Sequence, residues 1–225
     1  MYIQCMDSSK VSVFEIFLPK EWFDSYELEN NNSSTIGISA NMLFKVLNTR
    51  DKKQDICFSF EPEGDEISIK FQCEDKETYD KDFSLPLMEI ESEIMHIPEI
   101  ESTADITLPS ANFANMVKDM RLFGDTLNLR CDQENLTMTA NSDESGKMNI
   151  KITTEDLTSY EILEDAELMT SYSLNILHNV SLYSKLSEYI HFHVKDGFPL
   201  KIVYELDSDH DNAKMVFFIA PKIDE

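Results

Sequence analysis

The sequence repeats one order of strands and helices three times, and this repetition limits the possible folds more than any other feature. Each repeat starts with a strand-like run, continues into a segment with helical apolar spacing, and ends in three strand-like runs. The helical segments cover residues 39–50, 110–123 and 173–186. Before the first repeat, YIQCM and KVSVFEIFL match the last two strands of such a unit. The chain therefore holds three repeats and the tail of a fourth.

The strand-like runs alternate apolar and polar residues. In EISIKFQC, the residues Ile67, Ile69 and Phe71 share one face, and YIHFHV places Ile190 and Phe192 in the same way. A period of two indicates antiparallel sheets with one buried face. The sequence therefore predicts an α+β fold made of repeated strand–helix–three-strand units.

Charged residues are distributed unevenly along the chain. It has 43 Asp+Glu against 19 Lys+Arg, a formal charge of −24, yet residues 39–50 contain two bases and no acid. The charged residues of the three helical segments are Lys45, Arg50, Lys118, Asp119, Arg121 and Lys185. One interpretation is that solvated helix faces are neutral by chance. The other is a local basic surface on an acidic protein, which attracts nucleic acid phosphates only there.

Other patterns give little support to a catalytic or metal centre. The glycines form no phosphate loop or nucleophile elbow. DSDHDNAK copies the start of a calcium loop but has Asn212 where the turn requires Gly. His191 and His193 share a strand face and could hold a metal, but outward-facing polar residues are the favoured interpretation. The cysteines form no CxxC pair and are interpreted as small core residues in a reducing compartment: Cys5, Cys57, Cys73 and Cys131.

Four stretches resemble the sliding clamps of the proliferating cell nuclear antigen family: QCMDSSKVSV, MHIPE, LPSANFANMVKDMRLFGD and FFIAPKIDE. The similarity runs from Tyr2 to Glu225 in the same order. The resemblance implies a DNA-clamp fold with two similar domains per subunit, sheets outside, and repeat helices lining a three-subunit ring. We expect a front-truncated N-terminal clamp domain at 1–86, an acidic interdomain linker at 87–104 and a C-terminal clamp domain at 105–225.

The resemblance also implies that the family's first strand, first helix and second strand are missing before Tyr2. In a complete unit these elements would cover the apolar faces of the two front strands. We expect upstream coding sequence to supply them. Without them, Ile3, Val11 and Val13 lose part of their burial, and residues 1–30 should exchange their amide hydrogens quickly.

By resemblance, the helical segments face DNA. The implied DNA-facing residues are Lys45, Asn48, Arg50, Asn115, Lys118, Arg121, Asn175, His178 and Lys185. Lys45 and Lys118 occupy positions where the family keeps bases. Four positions lack the base that the family usually has: Asn48, Asn115, Asn175 and Leu182. Asn can donate to phosphate oxygens without releasing counterions, and few contacts without base-edge readers suit sequence-independent sliding on duplex DNA.

By resemblance, a surface pocket binds partner motifs of the form Gln–aliphatic–aromatic–aromatic. The implied pocket residues are Met6, Lys10, Val11, Val13, Met95, His96, Ile97, Pro98, Pro199, Phe218, Ala220 and Pro221. Apolar residues beside a linker form a groove that aromatic anchors can fill. Val11 and Val13 are equally well explained as strand-end core. Lys10 and His96 differ in chemistry from the family, so the preferred motif should differ as well.

By resemblance, subunits join by pairing the last strand of the first domain with a strand of the neighbour's second domain. Here these strands are residues 79–87 and 145–153, with Phe83 and Ile150 as the buried anchors. The implied interface residues are Tyr79, Phe83, Leu85, Leu87, Met148, Ile150 and Ile152. Pro86 lacks an N–H and is tolerated only at an edge or outward position.

These expectations lead to a DNA sliding clamp, a polymerase processivity factor that encircles duplex DNA and performs no chemistry. Its expected partners are duplex DNA, DNA polymerase, other replication and repair proteins with the motif, a clamp loader, and further copies in a homotrimer. No cofactor or metal is expected. The alternative is a clamp-like docking scaffold that does not encircle DNA, and a metal-dependent enzyme is a third interpretation.

The sequence shows no signal peptide pattern and no apolar run long enough to cross a membrane. We therefore expect an intracellular protein that is neither secreted nor membrane-bound. Its expected location is the nucleus of a eukaryotic host, or a cytoplasmic replication site if it is viral.

Overall fold

The computed structural model describes residues 1–28, 35–62, 64–73, 78–89, 94–206 and 212–222. The strands are β1 (Tyr2–Met6), β2 (Ser12–Phe17), β3 (Asp55–Phe60), β4 (Glu66–Gln72), β5 (Lys81–Pro86), β6 (Ala104–Pro109), β7 (Thr126–Cys131), β8 (Asn135–Ser142), β9 (Gly146–Thr153), β10 (Ser159–Ile162), β11 (Leu168–Ser173), β12 (Tyr189–Val194), β13 (Leu200–Glu205) and β14 (Lys214–Ile219). The helices are α1 (Ala40–Leu47), α2 (Ser110–Met120) and α3 (Leu174–Ser181).

The chain forms two compact units. The larger unit comprises Met1–Tyr26 and Ile97–Glu225, and the smaller unit comprises Glu27–His96. β1 and β2 belong to the larger unit because β2 pairs along its whole length with β14. The domain boundaries drawn from the sequence follow the repeats rather than these units, and they stay a prediction.

The larger unit contains two antiparallel sheets. Their strand orders are β1-β2-β14-β13-β12-β6-β10 and β11-β7-β8-β9. The second and third repeats exchange their first strands, because β6 pairs with β12 and β11 pairs with β7. α2 and α3 follow the exchanged strands and pack against each other. Phe113 of α2 and Leu177 of α3 are buried, and the Phe113 ring centroid lies 4.9 Å from that of Phe192. Each of these repeats therefore covers the apolar face of the other.

The smaller unit contains the sheet β3-β4-β5 and helix α1. The N-terminus of α1 is capped by Ser39, whose Oγ accepts the Met42 N–H at 3.4 Å. Phe83 packs on Phe71 with ring centroids 5.3 Å apart. The buried core is small: Val46, Ile67, Ile69, Phe71 and Leu85.

The predicted helices are wrong at their C-terminal ends. α1 ends at Leu47 and α3 ends at Ser181, so Arg50 and Lys185 lie in the turns that follow. At the end of α3, the Ser181 hydroxyl donates to the His178 carbonyl at 2.7 Å. This bond satisfies an acceptor that the last helical turn leaves open.

Two strand predictions also need correction. The sequence does not predict β10, because its four residues are too few to show a period, yet it pairs with β6. The strand predicted at 79–87 begins only at Lys81. Tyr79 lies before it, is 86% exposed, and uses its carbonyl to accept the Gln54 Nε2 at 2.8 Å.

β2 is an interior strand, paired with β1 on one side and β14 on the other. Fast amide exchange throughout residues 1–30 therefore does not fit β2, because its N–H groups point to one of these two neighbours. The smaller unit has a small buried core, so residues 27–96 should unfold locally more easily than the larger unit.

β5 and β9 end the first and second repeats, and each lies at the edge of its sheet in the described part of the chain. The Leu87 N–H donates to the Asp65 carbonyl at 2.7 Å, so the odd-numbered residues of β5 direct their N–H groups to β4. Pro86 is even-numbered and would face the open edge. Pro86 therefore meets the condition under which the sequence tolerates it, because β5 is an edge strand in the described structure.

Candidate functional site

The turn between β1 and β2 is organised by one carboxylate. Asp7 Oδ1 accepts the N–H groups of Val11 at 2.9 Å and Ser12 at 2.6 Å. Asp7 Oδ2 accepts the Ser9 N–H at 3.1 Å and the Ser9 hydroxyl. Hydrogen bonding, above all from that hydroxyl, lowers the pKa of Asp7 from 3.8 to about 2. Lys10 sits in the turn at φ 59°, in the left-handed region. The MDSSK motif therefore encodes an ordered turn.

The turn leads into an apolar face on β2 and β14. The Val11 carbonyl accepts the Ala220 N–H at 2.9 Å, and Val13 lies directly opposite Phe218. Phe14 points the other way and packs on the core. Since strand residues alternate between faces, the face opposite the core carries Val11, Val13, Phe218 and Ala220. The structure thus brings together four of the predicted pocket residues.

Three further predicted pocket residues lie near the ends of strands in the same unit. Met6 ends β1 and is exposed, Pro199 precedes β13 and is exposed, and Pro221 follows β14 and is half-buried. Because Leu200 pairs with Ile219, Pro199 lies at the same end of the sheet as Ala220.

The remaining pocket residues are divided between the two units. Ile97 is half-buried and Pro98 is exposed, and both belong to the larger unit. Met95 and His96 are exposed residues of the smaller unit. The pocket as a whole stays a prediction.

Sequence reasoning missed a buried carboxylate on the same face. Glu15 is only 8% exposed and accepts hydrogen bonds from the Tyr2 hydroxyl and, at 3.1 Å, from Gln4 Nε2. Burial, with the Glu15 carboxylate beside it, raises the pKa of Tyr2. An acid two residues after Val13 in an alternating strand is the sequence signal that could have indicated it.

An exposed aromatic residue next to Pro199 was missed as well. Phe198 is half exposed, and Lys195 Nζ lies 5.0 Å from the centroid of its ring. A cation over an aromatic face is an attractive contact that also orders the ring. The sequence signal is the FP pair before β13.

The predicted DNA-facing residues of the larger unit are mostly exposed. Asn115 and Lys118 lie on α2 and Asn175 lies on α3. Arg121 and Lys185 are exposed just beyond the two helices. Since α2 and α3 pack against each other, their charges act on one surface of this unit.

Part of this surface is not polar. Leu122 is 71% exposed and Leu182 is 66% exposed. His178 is half-buried, and its Nδ1 is enclosed and has no hydrogen-bond partner among the described residues. The exposed charged residues predicted for this surface are therefore Lys118, Arg121 and Lys185.

The predicted DNA-facing residues of the smaller unit are all exposed. Lys45 lies on α1, and Asn48 directly follows the last residue of that helix. Arg50 is tied back to its own loop, because its Nε donates to the Gln54 carbonyl at 2.6 Å. Of the two basic residues in this segment, Lys45 lies on the helix and Arg50 lies in the turn that follows it.

The predicted interface residues of the smaller unit differ in exposure. Phe83 and Leu87 are half-buried against the core of the unit, whereas Leu85 is a core residue at 6% exposure. The corresponding residues on β9 are half-buried against the core of the larger unit: Met148, Ile150 and Ile152. Each half-buried side chain keeps some surface for a neighbour, and Leu85 keeps almost none.

The two strand histidines are engaged with neighbours. His193 Nδ1 lies 2.6 Å from Asp105 Oδ1, and His191 Nδ1 lies 3.0 Å from Thr107 Oγ1. Burial lowers the pKa of His191 and outweighs the nearby Glu205 carboxylate, whose charge acts to raise it. Within the described ranges, no group of three or more His, Cys, Asp or Glu could hold a metal. The calcium-like loop at 207–211 lies outside the described residues.

No helix in the described part of the chain is long and apolar enough to span a membrane.

Repeated strand–helix–three-strand units, with helices packed on antiparallel sheets, define a clamp-type α+β protein. The family model of the proliferating cell nuclear antigen C-terminal domain matches residues 96–222, and that of the N-terminal domain matches residues 1–95. The chain belongs to the proliferating cell nuclear antigen family. It is similar to proliferating cell nuclear antigen 2 of Drosophila melanogaster, with 24% identity over 223 residues that cover 99% of this chain and 85% of that protein.

Family membership confirms the resemblance and the α+β clamp fold. It supports a function of the sliding-clamp type in DNA replication, with self-association and protein partners. Clamps of this family are non-enzymatic scaffolds.

Proposed function

We propose that the chain is a DNA sliding clamp, a polymerase processivity factor that closes into a homotrimeric ring around duplex DNA. The observation that carries the proposal is which of the strands that end a repeat are paired and which keep an open edge. β2 and β14, which end the front half-repeat and the third repeat, pair antiparallel inside the chain. β5 and β9, which end the other two repeats, both keep an open edge in the described structure. The same pairing between β5 of one copy and β9 of the next joins copies head to tail.

The repeats also supply a register for this seam. We align the repeats so that Ile150, opposite Met138, takes the place of Phe14, opposite Cys5, and Phe83, opposite Ile69, takes the place of Phe217, opposite Ile202. Phe14 and Phe217 are directly opposite each other, with ring centroids 6.0 Å apart. The same register sets Phe83 opposite the partner subunit's Ile150. This supports the two anchors that the sequence suggests.

The register also sets an oppositely charged pair across the seam, Asp82 and the partner subunit's Lys151. Both side chains are exposed. Within its own sheet, Asp82 Oδ1 lies 3.6 Å from Lys70 Nζ. Reversing either charge should weaken the ring about three- to tenfold, because like charges then face each other across two strands. Reversing both should restore it.

Two surfaces support the roles of the ring. Lys45 and Lys118 on the acid-poor helices, with Arg121 just beyond α2, form a basic surface in a chain of net charge −24, so attraction for phosphate is expected there. The apolar face with Val11 and Phe218 supports docking of Gln–aliphatic–aromatic–aromatic motifs from polymerase and other partners. In this role a clamp loader opens the ring, at a nuclear or viral cytoplasmic replication site.

The test of the ring uses the direction of the N–H groups in β9. The Thr154 N–H donates to the Glu134 carbonyl at 3.1 Å, so odd-numbered residues of β9 direct their N–H groups to the open edge. Lys151→Pro removes one such donor without touching the core, and Lys151→Ala is the matched control. Native mass should show a trimer for the wild type and the control, and single chains for Lys151→Pro. An unchanged trimer in Lys151→Pro would contradict the seam.

A second measurement tests enclosure of DNA. A closed ring loaded on a nicked circular plasmid should stay bound in high salt and leave when the plasmid is linearised. Retention that does not depend on circularity would point to ordinary binding.

The second candidate is a docking scaffold that does not encircle DNA. It is favoured by the exposed Leu122 and Leu182 and by the asparagines at positions where the family usually has bases. A trimer that binds the partner motif but is never retained on circular plasmid would select it.

A further inference from the structure

Three lysines of the larger unit lie around the apolar face on β2 and β14. One precedes that face in the β1–β2 turn, one lies on β13 beside it, and one follows β12: Lys10, Lys201 and Lys195. The chain has 43 Asp+Glu against 19 Lys+Arg, so a surface enriched in bases is unusual for it. Within the described part of the chain, the ion pairs engage none of these three lysines.

Lys201 lies directly beside the apolar face. It is opposite Phe218 in the β13–β14 ladder, and opposite residues of an antiparallel pair have their Cβ atoms about 5 Å apart on one face. Lys201 is half-buried, so its aliphatic stem lies along the sheet while its ammonium group stays in water. A group bound over Phe218 is therefore within reach of this ammonium group.

Lys195 lies at the end of the same face. His193 is opposite Lys201 in the β12–β13 ladder, and continuing this register past the strand ends sets Lys195 opposite Pro199. Lys195 Nζ lies 5.0 Å from the ring centroid of the half-exposed Phe198. A cation over an aromatic ring keeps its charge next to apolar surface. Lys195 thus places a positive charge at the edge of the predicted pocket.

Lys10 lies on the other side of the apolar face. It is exposed and directly precedes Val11, whose carbonyl accepts the Ala220 N–H at 2.9 Å. The neighbouring acid, Asp7, uses both carboxylate oxygens to accept donors of its own turn. Positive charge therefore flanks the apolar face on two sides.

The acids close to Lys195 and Lys201 are directed elsewhere. Asp105 Oδ1 lies 2.6 Å from His193 Nδ1. Asp196 follows Lys195 in the turn, but burial raises the pKa of Tyr172 and the charge of Asp196 adds to this effect, so this carboxylate lies toward the core. Neither acid is in an ion pair with a lysine in the described structure.

We propose that the partner motif filling the apolar face carries Asp or Glu beside its aromatic pair, and that Lys10, Lys195 and Lys201 bind these carboxylates. The inference rests on the docking role proposed above and narrows the Gln–aliphatic–aromatic–aromatic motif to an acidic form of it. Neighbouring strands are about 4.8 Å apart, so the end of β12 is about 10 Å from β14. An extended peptide advances about 3.3 Å per residue, which places the acids within about three residues of the aromatic pair.

The overall charge of the chain makes this preference a sharp expectation. A net charge of −24 repels an acidic peptide unless local bases reverse the field. Each half-exposed ion pair contributes little by itself. Two or three together should strengthen binding of the acidic motif about five- to tenfold at low salt.

The first test compares two peptides by calorimetry. Both contain the Gln–aliphatic–aromatic–aromatic motif; one has Glu directly before the aromatic pair and at the two positions after it, and the other has Gln at these positions. The chain should bind the acidic peptide about five- to tenfold more tightly, and about 1 M salt should largely abolish the difference. Equal or weaker binding of the acidic peptide at low salt would overturn the proposal.

The second test removes the charges and keeps the length of the side chains. Lys195→Gln combined with Lys201→Gln should lose most of the preference for the acidic peptide while binding the neutral peptide within about twofold of the wild type. The control combines Lys20→Gln with Lys52→Gln, which removes the same charge at two exposed lysines, one in each unit, and should keep the preference. Loss of the preference in the control as well would assign it to net charge and contradict the lysine site.

The outcomes separate the acid preference from docking itself. If the neutral peptide binds and the acidic peptide gains nothing, the docking face stands and the lysine site is overturned. If neither peptide binds, both are overturned. An acidic peptide with Ala in place of both aromatic residues should bind at least tenfold more weakly than the intact one. Equal binding of that peptide would show attraction of anions without the apolar face and would overturn joint recognition.

Discussion

Asp7→Ala is the substitution that tests most directly whether the MDSSK turn is built by one carboxylate. Asp7 accepts three backbone N–H groups and one hydroxyl, and the N–H groups of Val11 and Ser12 lie at 2.9 and 2.6 Å from Oδ1. Removing an acceptor of this kind from a turn or helix cap costs about 1–2 kcal/mol, and more when the acceptor is charged. We take about 2 kcal/mol for the opening of this turn.

The assay is amide exchange, read at individual residues and corrected for intrinsic rates. A loss of about 2 kcal/mol corresponds to roughly 30-fold faster exchange at Val11 and Ser12. Asp7→Asn keeps one acceptor oxygen but not the charge, so its effect should be about half as large in free energy, roughly fivefold. Asp24→Ala, at an exposed aspartate of the same unit, is the matched control and should change neither residue.

Acid provides an independent arm of the same experiment. The pKa of Asp7 is lowered from 3.8 to about 2 in the folded chain, so its stabilisation is complete above the unfolded value and is lost as the pH falls through about 2. As the pH approaches about 2, the corrected exchange rates at Val11 and Ser12 in the wild type should therefore approach those in Asp7→Ala. Exchange in Asp7→Ala within twofold of the wild type at both residues would refute the role of the carboxylate.

The remaining predictions concern the seam, the pocket and the helices. Phe83→Ala should dissociate the ring and also loosen the smaller unit, because Phe83 packs on Phe71; light scattering and amide exchange separate the two effects, and an unchanged oligomer would contradict the anchor. A Gln–aliphatic–aromatic–aromatic peptide should lose about tenfold or more in affinity for Pro221→Glu or Ile97→Asp, measured by calorimetry, since a charge then meets an apolar anchor. Lys118→Glu should weaken DNA binding and lower its salt dependence by about one unit of slope or more; an unchanged slope would remove this lysine from the DNA surface.

The alternation of the sequence was sufficient to predict most strands, because burial on one face leaves a period of two. Its limits appear where a partner decides the outcome. DICFSF and YIHFHV have the same pattern, yet Phe58 is exposed and Phe192 is buried. A single strand contains no information on whether its neighbour is present. β10 shows the opposite case. Its sequence is too short to show a period of two, yet it forms a strand because it pairs with β6.

The candidate site shows a similar division. The apolar pocket residues on β2 and β14 could be placed by resemblance, because they belong to recognisable stretches. Asp7 lies in one of these stretches, but its role could not be predicted, since an acceptor for three N–H groups is visible only once the turn is closed. Glu15 was missed for a related reason: its burial depends on Tyr2 and Gln4, which reach it across the β1–β2 hairpin.

The pairing of β2 with β14 has a consequence for synthesis of the chain. β2 leaves the ribosome about 200 residues before its partner β14 does. At roughly 5–20 residues per second, the hairpin waits on the order of 10–40 s with one backbone edge unpaired. Strand edges of this kind recruit other nascent chains unless a charged residue discourages them. Glu15 lies in the middle of the unpaired edge of β2. Once β14 has paired, Lys214 Nζ lies 5.5 Å from the ring centroid of Phe17 at the end of β2. A charged residue at the position of Glu15 would disfavour pairing with other chains until β14 is made.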